Sequence, residues 1–478
     1  MRPRAVRGVH GAVRWEAGAE LPHPGGHPGR RRGRHRRGAR GPRTARGRRA
    51  APGAAGVRRV RRVPVRLLHA GAGRLRGRDA RRVRAGLAER RHRGDAAAAA
   101  GPRRGGRADE RQPVPLRGLR QHRARRPAGR RGVRRGGAGG GGGGVKPFDF
   151  RRPQDAAEAV RSVAGNPAAV FLGGGTNLVD HLKLGVAAPD LVVHVADLLP
   201  AGIEELDGGA LRIGAGVRNS ELAADRRVRE RFPVLSQALL SGASGQLRNM
   251  ATTGGNPLQR TRCVYFQDVT TACNKRQPGS GCSAVGGWTR NHAVLGASEH
   301  CLAVHPSDMA VAMAALDARV RVLGPDGERT IPFVELHRLP GDTPERDTVL
   351  EHGDLITAID LPAQPLARRS AYRKVRDRAS YAFALVSVAA AVDVRDGVIT
   401  DARVAFGGVA HAPWRAHRAE RVLRGAPATE ETYRAAADAE LADARPADGP
   451  DGGNAFKIPL LRRTLAATLR GLAREDTR

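Results

Sequence analysis

FLGGGTNL, at residues 171–178, is the segment of this chain that says most about its fold. The apolar run 169–172 predicts a short buried strand, and three glycines follow it immediately. Consecutive glycines let main-chain amides approach an anion closely, and Thr176 and Asn177 add side-chain donors. The segment does not match the G-x-G-x-x-G dinucleotide fingerprint. Alone, it fits either an ordinary tight turn or a loop that holds phosphate.

A second glycine turn, ATTGGNP, lies about 80 residues further on, at residues 251–257. It also carries hydroxyl and amide side chains beside its glycines, which are suitable donors to phosphate oxygens. Two turns of this kind say more than either one. Together they could hold the two ends of a single phosphate-containing ligand.

The apolar pattern around these turns predicts an α/β unit followed by a separate α+β domain that begins near Arg368. Helices are predicted at 154–164, 219–242 with a break at Pro233, 309–318, 429–443 and 458–474. Strands are predicted at 169–172, 190–195, 210–216, 319–323, 329–332, 355–361, 383–394 and 402–408. Ser307 or Asp308 would cap the helix that begins after Pro306.

All four cysteines of the chain fall within residues 258–304: Cys263, Cys273, Cys282 and Cys301. Four thiolates suit a tetrahedral zinc ion or an iron–sulfur cluster, although zinc ribbons usually have closer Cys pairs. Two disulfides or four inert thiols are the other interpretations. His292, His300 and His305 lie nearby, but four cysteines already complete a site, so no histidine is predicted as a ligand.

The charge of the chain is concentrated at its N-terminus. Residues 1–144 hold 42 Arg, no Lys and seven acidic residues, and carry +35 of the net +38 of the 478-residue chain. They contain no Ile, Asn, Phe or Tyr, so we expect disorder if they are translated. An Arg-rich tail could bind nucleic acid or act as a targeting segment. Their composition also fits a GC-rich gene read in the wrong frame, so we expect translation to start at Val145.

Several classes of protein are excluded by composition. Four cysteines are too few for a disulfide-stapled secreted scaffold. No apolar run reaches the roughly 18–20 residues that span a membrane, and no signal-peptide pattern opens the chain. Residues 145–478 carry a net charge of only +3, which argues against nucleic acid as the partner of the folded part.

An ordered set of motifs resembles the FAD-binding subunits of the molybdenum hydroxylases, the xanthine dehydrogenase family. The motifs are Lys146-Pro147-Phe148, GGGTNL at 173–178, ATTGGNP at 251–257, HPSDMAVA at 305–312 and KVRDRASYAFALVSVA at 374–389. The resemblance covers essentially all of 145–478 and none of 1–144. Most flavin subunits of the family pass almost directly from the second turn to the HPSD helix. The intervening 258–304 resembles the insertion of the bacterial aldehyde oxidoreductase FAD subunits, which hold an additional 4Fe–4S cluster.

The resemblance implies a fold of mixed α/β and α+β class. Residues 145–366 would form a two-part FAD-binding domain of the vanillyl-alcohol-oxidase type, divided into 145–200 and 201–366, with 258–304 as an iron–sulfur insertion. Residues 367–478 would form a C-terminal α+β domain of the CO dehydrogenase flavoprotein type. Residues 1–144 would be a disordered extension or a mis-annotated upstream translation.

The resemblance also implies which residues bind cofactors. Those expected to wrap the FAD pyrophosphate are Val170, Phe171, Leu172, Gly173, Gly174, Gly175, Thr176, Asn177 and Leu178. Those expected on its other side are Thr252, Gly255 and Asn256. Asp308 would hydrogen-bond the sugar-like chain of the flavin, while Ile359 and Lys374 would approach its adenine or isoalloxazine end. The expected 4Fe–4S ligands are Cys263, Cys273, Cys282 and Cys301.

The implied function is electron transfer by the flavoprotein subunit of an oxidoreductase. A large partner subunit with a molybdenum cofactor would oxidise the substrate, which the resemblance suggests is an aldehyde. A small 2Fe–2S subunit would pass electrons to FAD here, and an external acceptor would receive them. No catalytic residue for the organic substrate is expected on this chain. A cytoplasmic location is expected, or a periplasmic one if a partner carries the chain across the membrane.

Two other functions stay open on sequence grounds. A stand-alone flavin reductase resembling UDP-N-acetylenolpyruvoylglucosamine reductase would share the first glycine turn, but it has no need of four clustered cysteines. An Arg-rich nucleic-acid-binding protein with a zinc module would need residues 1–144 to be real. It would leave both glycine turns without a role.

Overall fold

The computed structural model describes residues 145–474, and the expectations for residues 1–144 lie outside them. A parallel three-stranded sheet comes first, with strand order β1-β3-β2. Its strands are β1 (Asp149–Arg151), β2 (Ala169–Leu172) and β3 (Leu191–His194). Helices α1 (Ala156–Ala164) and α2 (Leu178–Leu184) connect them, as parallel pairing requires. Asp155 caps α1 by accepting from the Glu158 amide, so the helix begins two residues after the predicted start at 154.

The second sheet has five antiparallel strands in the order β4-β5-β8-β6-β7. Its strands are β4 (Ile203–Glu205), β5 (Leu211–Gly214), β6 (Arg319–Gly324), β7 (Gly327–Pro332) and β8 (Leu355–Leu361). Its helices are α3 (Asn219–Ala224), α4 (Arg226–Arg231), α5 (Pro233–Ser241), α6 (Gly245–Met250), α7 (Val264–Gln267), α8 (Asp308–Ala315) and α9 (Phe333–Leu336). Helix α8 is buried along its whole length, with Ser307 as its N-cap.

The prediction of two helices over 219–242 was wrong in one respect, since three short helices fill this segment. Pro233 opens α5, as expected, but a further break falls at Asp225. The Asp225 carboxylate accepts hydrogen bonds from the amides of Arg227 and Val228, so it caps α4 and ends α3. The expected strand 383–394 begins later, at Val386.

The last sheet is antiparallel, with strand order β12-β11-β10-β9. Its strands are β9 (Ser370–Val375), β10 (Val386–Arg395), β11 (Val398–Gly407) and β12 (Trp414–Arg415), and its helices are α10 (His417–Leu423), α11 (Glu430–Leu441) and α12 (Lys457–Arg474). Strand β10 is apolar on both faces because each face meets a different core. Ala389 packs into the core of the first two sheets, and Val388 and Ala390 pack against α11 and α12.

The insertion 258–304 is largely irregular, and its one helix is α7. Its second half packs into the core of the C-terminal domain, where Val294 and Leu295 are buried. Their amides both donate to the Val409 carbonyl oxygen, at 2.9 and 3.0 Å. The insertion therefore shares its apolar core with the C-terminal domain, although its sequence lies within the FAD-binding region.

Within residues 145–474, no helix has both the length and the apolar character needed to cross a membrane.

Candidate functional site

The two glycine turns lie against each other. A Cβ atom built on Gly174 would stand 2.0 Å from the Met250 carbonyl oxygen, and one on Gly173 would stand 3.1 Å from Thr252 Oγ1. Gly175 has φ +73°, a conformation that favours glycine. The three glycines are therefore required by this close approach and by the turn itself.

The segment 170–178 leaves one side open. Every one of its residues is partly exposed, even though 170–172 belong to a strand of a packed sheet. Strand β2 is an edge strand, and its partner is β3. An open edge followed by a glycine turn offers main-chain amides to a ligand. Each of the expected pyrophosphate-binding residues thus keeps some accessible surface.

The second turn is held rigidly by its own hydroxyls. Thr252 Oγ1 accepts from the Gly255 amide at 3.2 Å, and Thr253 Oγ1 donates to the Val217 carbonyl oxygen at 3.0 Å. A Cβ atom on Gly254 would stand 2.7 Å from the Cβ of Ala215, so the turn sits directly on the end of the five-stranded sheet. These contacts fix the conformation of the turn.

The two asparagines expected at the site are both oriented by neighbours. Asn177 Oδ1 accepts from the Arg260 amide at 2.9 Å, and Asn256 Oδ1 accepts from the Ser307 hydroxyl at 2.5 Å. Arg260 and Ser307 were not predicted as site residues. Ser307 already caps α8, so one hydroxyl links the helix to the second turn.

Asp308 lies in a buried polar cluster with two residues of β9. Its Oδ1 accepts from the Tyr372 hydroxyl at 2.6 Å, and its Oδ2 accepts from Lys374 Nζ at 2.7 Å. Burial, and then the Asp308 charge, raise the pKa of Tyr372 well above its usual range, so the phenol stays protonated and donates. Tyr372 was missed, although Tyr372 and Lys374 alternate on one strand and so share a face.

Ile359 is placed differently from the other expected ligand-binding residues. Its side chain has no exposed surface and packs in the core, in β8 beside Ile213. Ala215, two residues after Ile213, supports the second glycine turn. The structure therefore places Ile359 beneath the site, with no side-chain surface directed toward a ligand.

The four cysteines line one cavity. All four are free thiols; Cys273 and Cys301 are buried, while Cys263 and Cys282 are half-buried. The cavity is small and partly open to solvent, and all four cysteines contribute to its wall. Across residues 145–474, no three His, Cys, Asp or Glu side chains are grouped closely enough to hold a single metal ion. The four sulfurs thus do not converge on the position of one ion; they lie around a cavity.

Burial governs the acidity of these thiols. It raises the pKa of Cys263 to about 11 and that of Cys301 to about 12, and the neighbouring cysteines add to both shifts. Lys275 opposes the shift at Cys301. Without a cation in the cavity these thiols stay protonated, and a bound cation would displace their protons.

Two residues beside the cavity were not predicted to matter. His292 Nε2 lies 3.1 Å from Cys263 Sγ. Lys275 is almost fully buried and donates to Asp347 Oδ1 at 2.5 Å and to the Pro344 carbonyl oxygen at 2.7 Å. Arg260 Nε also donates to Asp347, at 2.6 Å, and the two cations lower the pKa of this buried carboxyl to about 2. No sequence pattern distinguishes these residues from ordinary polar ones.

Comparisons with known proteins agree with this architecture. Residues 146–364 match the family described as the FAD binding domain in molybdopterin dehydrogenase, and residues 370–471 match the CO dehydrogenase flavoprotein C-terminal domain. The chain is 51% identical over 327 residues to the aldehyde oxidoreductase FAD-binding subunit PaoB of Escherichia coli, covering 68% of this chain and 98% of that protein. It is 26% identical to the carbon monoxide dehydrogenase medium chain of Afipia carboxidovorans, covering 63% and 90% of the two chains.

Solved structures show the same fold. Quinoline 2-oxidoreductase from Pseudomonas putida 86 superposes with a TM-score of 0.54 at 22% identity, covering 69% of this chain and 98% of that chain. Carbon monoxide dehydrogenase from Hydrogenophaga pseudoflava superposes with a TM-score of 0.52 at 25% identity, covering 68% and 96%. The predicted two-part FAD-binding domain followed by an α+β domain is confirmed. Neither alternative function is favoured.

Both domains, in order, and a relative with half of its residues identical lead to one assignment. The chain belongs to the family of FAD-binding subunits of the molybdenum hydroxylases, and it is the flavoprotein component of an oxidoreductase.

Proposed function

We propose that this chain is the FAD-binding electron-transfer subunit of a molybdenum hydroxylase that oxidises aldehydes. The observation that carries the proposal is the contact between the two glycine turns, in a chain that is 51% identical to an aldehyde oxidoreductase FAD-binding subunit. A large molybdenum-cofactor subunit and a small 2Fe–2S subunit are the proposed partners, with an external acceptor for the electrons. We propose that the cellular location of the chain is that of its partner subunits.

We assign the FAD pyrophosphate to the open surface formed by residues 170–178. The amides of the glycine turn follow the end of β2 and are free of its ladder, which suits phosphate oxygens. Thr252, Gly255 and Asn256 close the other side. Their fit is supported by the rigid second turn, where a side chain at Gly255 would meet Thr252 Oγ1 at 2.9 Å.

Asp308 is assigned to the sugar-like chain of the flavin. Tyr372 and Lys374 each donate to one of its oxygens, so the carboxylate is fixed in direction and can accept from hydroxyl groups. Lys374 also donates to the Ser241 carbonyl oxygen at 3.2 Å, which ties β9 to the end of α5. Bound FAD supplies the redox chemistry, and these residues supply binding and orientation.

We further propose that Cys263, Cys273, Cys282 and Cys301 hold a 4Fe–4S cluster. Zinc would need four sulfurs about 2.3 Å from one point, whereas within residues 145–474 no three such ligand side chains are grouped closely enough to hold one ion. The donor set of four thiols is the one that iron–sulfur clusters use. Half-buried Cys263 and Cys282 place one side of the cavity close to solvent.

The FAD assignment is tested on the full chain purified with its partner subunits. Flavin released by denaturation should amount to about one FAD per chain. Asp308→Asn should lower this content, while Asp326→Asn, at an exposed aspartate between β6 and β7, should not. A complex without flavin, or equal flavin in both variants, would contradict the assignment.

The cluster assignment is tested by metal analysis of the same complex, purified without oxygen. We expect about four more irons per complex than the 2Fe–2S subunit accounts for, and no zinc. Cys273→Ser should remove that iron and keep the FAD, while Gln277→Ala, at an exposed glutamine of the same insertion, should change neither. Zinc, or iron that survives Cys273→Ser, would overturn the cluster.

A further inference from the structure

We propose that His292 is a positioning residue that donates an N–H···S hydrogen bond to Cys263 and so raises the reduction potential of the metal cluster in the cysteine cavity. The inference rests on the cluster that we propose above. It adds a function to a histidine that is not itself needed as a ligand.

The contact is specific. The imidazole of His292 is 4% exposed, and its Nε2 lies 3.1 Å from Cys263 Sγ. Among residues 145–474, the other ring nitrogen, Nδ1, has no hydrogen-bond partner. The sulfur is therefore the polar atom to which this buried ring is directed.

The direction of the hydrogen bond follows from the charge of the sulfur. An imidazole N–H donates a hydrogen bond, and a ring nitrogen without a proton accepts one. A metal-bound thiolate only accepts hydrogen bonds. An unprotonated Nε2 would direct its lone pair at that negative sulfur, which is repulsive. The proton therefore belongs on Nε2 once the cluster is bound.

The C-terminal domain fixes His292 in place. Lys457 Nζ, which is completely buried, donates to the His292 carbonyl oxygen at 2.8 Å, and Asn454 Nδ2 donates to the same oxygen at 3.2 Å. The His292 amide donates to the Thr289 carbonyl oxygen at 2.8 Å. Since the main chain is held on both sides, the ring meets the sulfur without a further ordering cost.

The sign of the effect is determined by charge. Reduction adds an electron to the cluster and makes its sulfurs more negative, so a hydrogen bond to sulfur strengthens in the reduced state. Donors to cluster sulfurs therefore favour reduction. Removing the donor should leave less of the cluster reduced at any fixed potential.

The test is a redox titration of the intact complex, followed by the electron paramagnetic resonance signal of the additional cluster. For His292→Leu we expect about a tenfold lower ratio of reduced to oxidised cluster at a fixed potential, which corresponds to a midpoint about 59 mV lower for one electron. His292→Gln places an amide N–H near the same position and should recover most of the shift. His300→Leu, at a half-exposed histidine of the same insertion that faces Glu299 and Asp342, should leave the midpoint unchanged.

The outcomes separate the inference from the function that it builds on. Wild-type complex without additional iron would overturn the cluster itself. Iron at wild-type level with an unchanged midpoint in His292→Leu would overturn the hydrogen bond and leave the cluster standing. If His292→Leu fails to retain iron, the midpoint of His292→Gln is the test. A midpoint close to that of the wild type supports the hydrogen-bond donor, and a midpoint as low as the one expected for His292→Leu overturns it.

Discussion

At the scale of single residues, Gly174 is the position where the two glycine turns leave least room. Gly174→Ala would place a methyl group 2.0 Å from the Met250 carbonyl oxygen, and main chain cannot move aside as a flexible side chain could. We expect loss of FAD from the purified complex and a lower midpoint of thermal unfolding. Gly471→Ala is the control, because nothing lies within 4 Å of its added methyl group and it lies within α12. That change should stabilise the helix by up to about 1 kcal/mol. Normal flavin content in Gly174→Ala would show that the turns separate.

Tyr372 gives a second test at this scale. Tyr372→Phe removes the hydroxyl that donates to Asp308 and leaves a buried carboxylate with one donor fewer. We expect a loss of roughly 1–3 kcal/mol in the free energy of unfolding and weaker FAD binding. Urea unfolding and FAD titration of the stripped complex would measure both. Tyr381→Phe, at a tyrosine that is 57% exposed, should have little effect on unfolding. Equal stability of the two variants would contradict this account of Asp308.

Residue-level prediction from the sequence succeeded where a motif constrains the main chain and was incomplete where distant side chains meet. The glycines of both turns could be identified because their spacing signals close packing. Tyr372 could have been identified from its alternation with Lys374. His292 could not, because its contact with Cys263 depends on an irregular loop held by α12.

At the scale of elements, the union of the insertion with the C-terminal domain depends on Asn454. Its Nδ2 donates to the carbonyl oxygens of His292 and Ala293, and its Oδ1 accepts from the Ala447 amide. Asn454→Ala would remove the partner of the Ala293 carbonyl and of the Ala447 amide, at a cost of about 1–3 kcal/mol for each, while the His292 carbonyl would keep Lys457. We expect faster amide hydrogen exchange across 286–296. Gln277→Ala, at an exposed glutamine of the insertion, should not change that exchange. Unaltered exchange in Asn454→Ala would mean that other contacts hold the insertion.

The elements were predicted unevenly for a physical reason. Helices with a periodic apolar face and a cap, such as α1, were placed within two residues. The break at Asp225 was missed because a capping aspartate inside a helical pattern resembles an exposed helical one. Strand β9 is missing from the predicted strands, since its basic residues hide that Ser370 and Tyr372 face inward. The position of β9 is set by its antiparallel pairing with β10.

At the scale of the whole molecule, buried neutral histidines predict sensitivity to acid. Burial lowers the pKa of His337 to about 4 and that of His411 to about 3, from the ordinary 6.5. Below about pH 6.5 the unfolded chain binds protons that the folded chain does not, so stability falls as the pH falls toward 4. Each such histidine should cost about 2 kcal/mol between pH 7 and pH 5. Above pH 6.5 its contribution should be constant.

Urea unfolding at pH 7 and pH 5 measures this dependence. His411→Gln should lessen the loss of stability between the two pH values, because it removes one titrating group. His417→Gln should not, since the His417 side chain is 65% exposed. An identical loss in all three proteins would show that His411 is not held neutral by the fold.

The fold as a whole was predictable mainly through the ordered motifs, which depend on a resemblance rather than on periodicity. Periodicity alone gave an α/β unit and a later α+β domain. It could not show that β10 separates two cores, because an apolar strand has the same pattern whichever layers cover it. Nor could it show that the insertion 258–304 packs into the core of the C-terminal domain.

That last feature has a consequence for the order of biosynthesis. The chain leaves the ribosome from its N-terminus, so the thiols emerge well before the segment 409–457 that anchors the loop around them. Until Val409 and Lys457 arrive, the second half of the insertion lacks the partners that give it its shape. Iron delivered to a nascent chain would meet four cysteines on a segment that is not yet held in its folded position. For the cluster proposed above, we therefore expect insertion to be a late step of maturation. A chain truncated before α12 would lack the Lys457 contact that holds the insertion, and we expect such a chain to lose its iron.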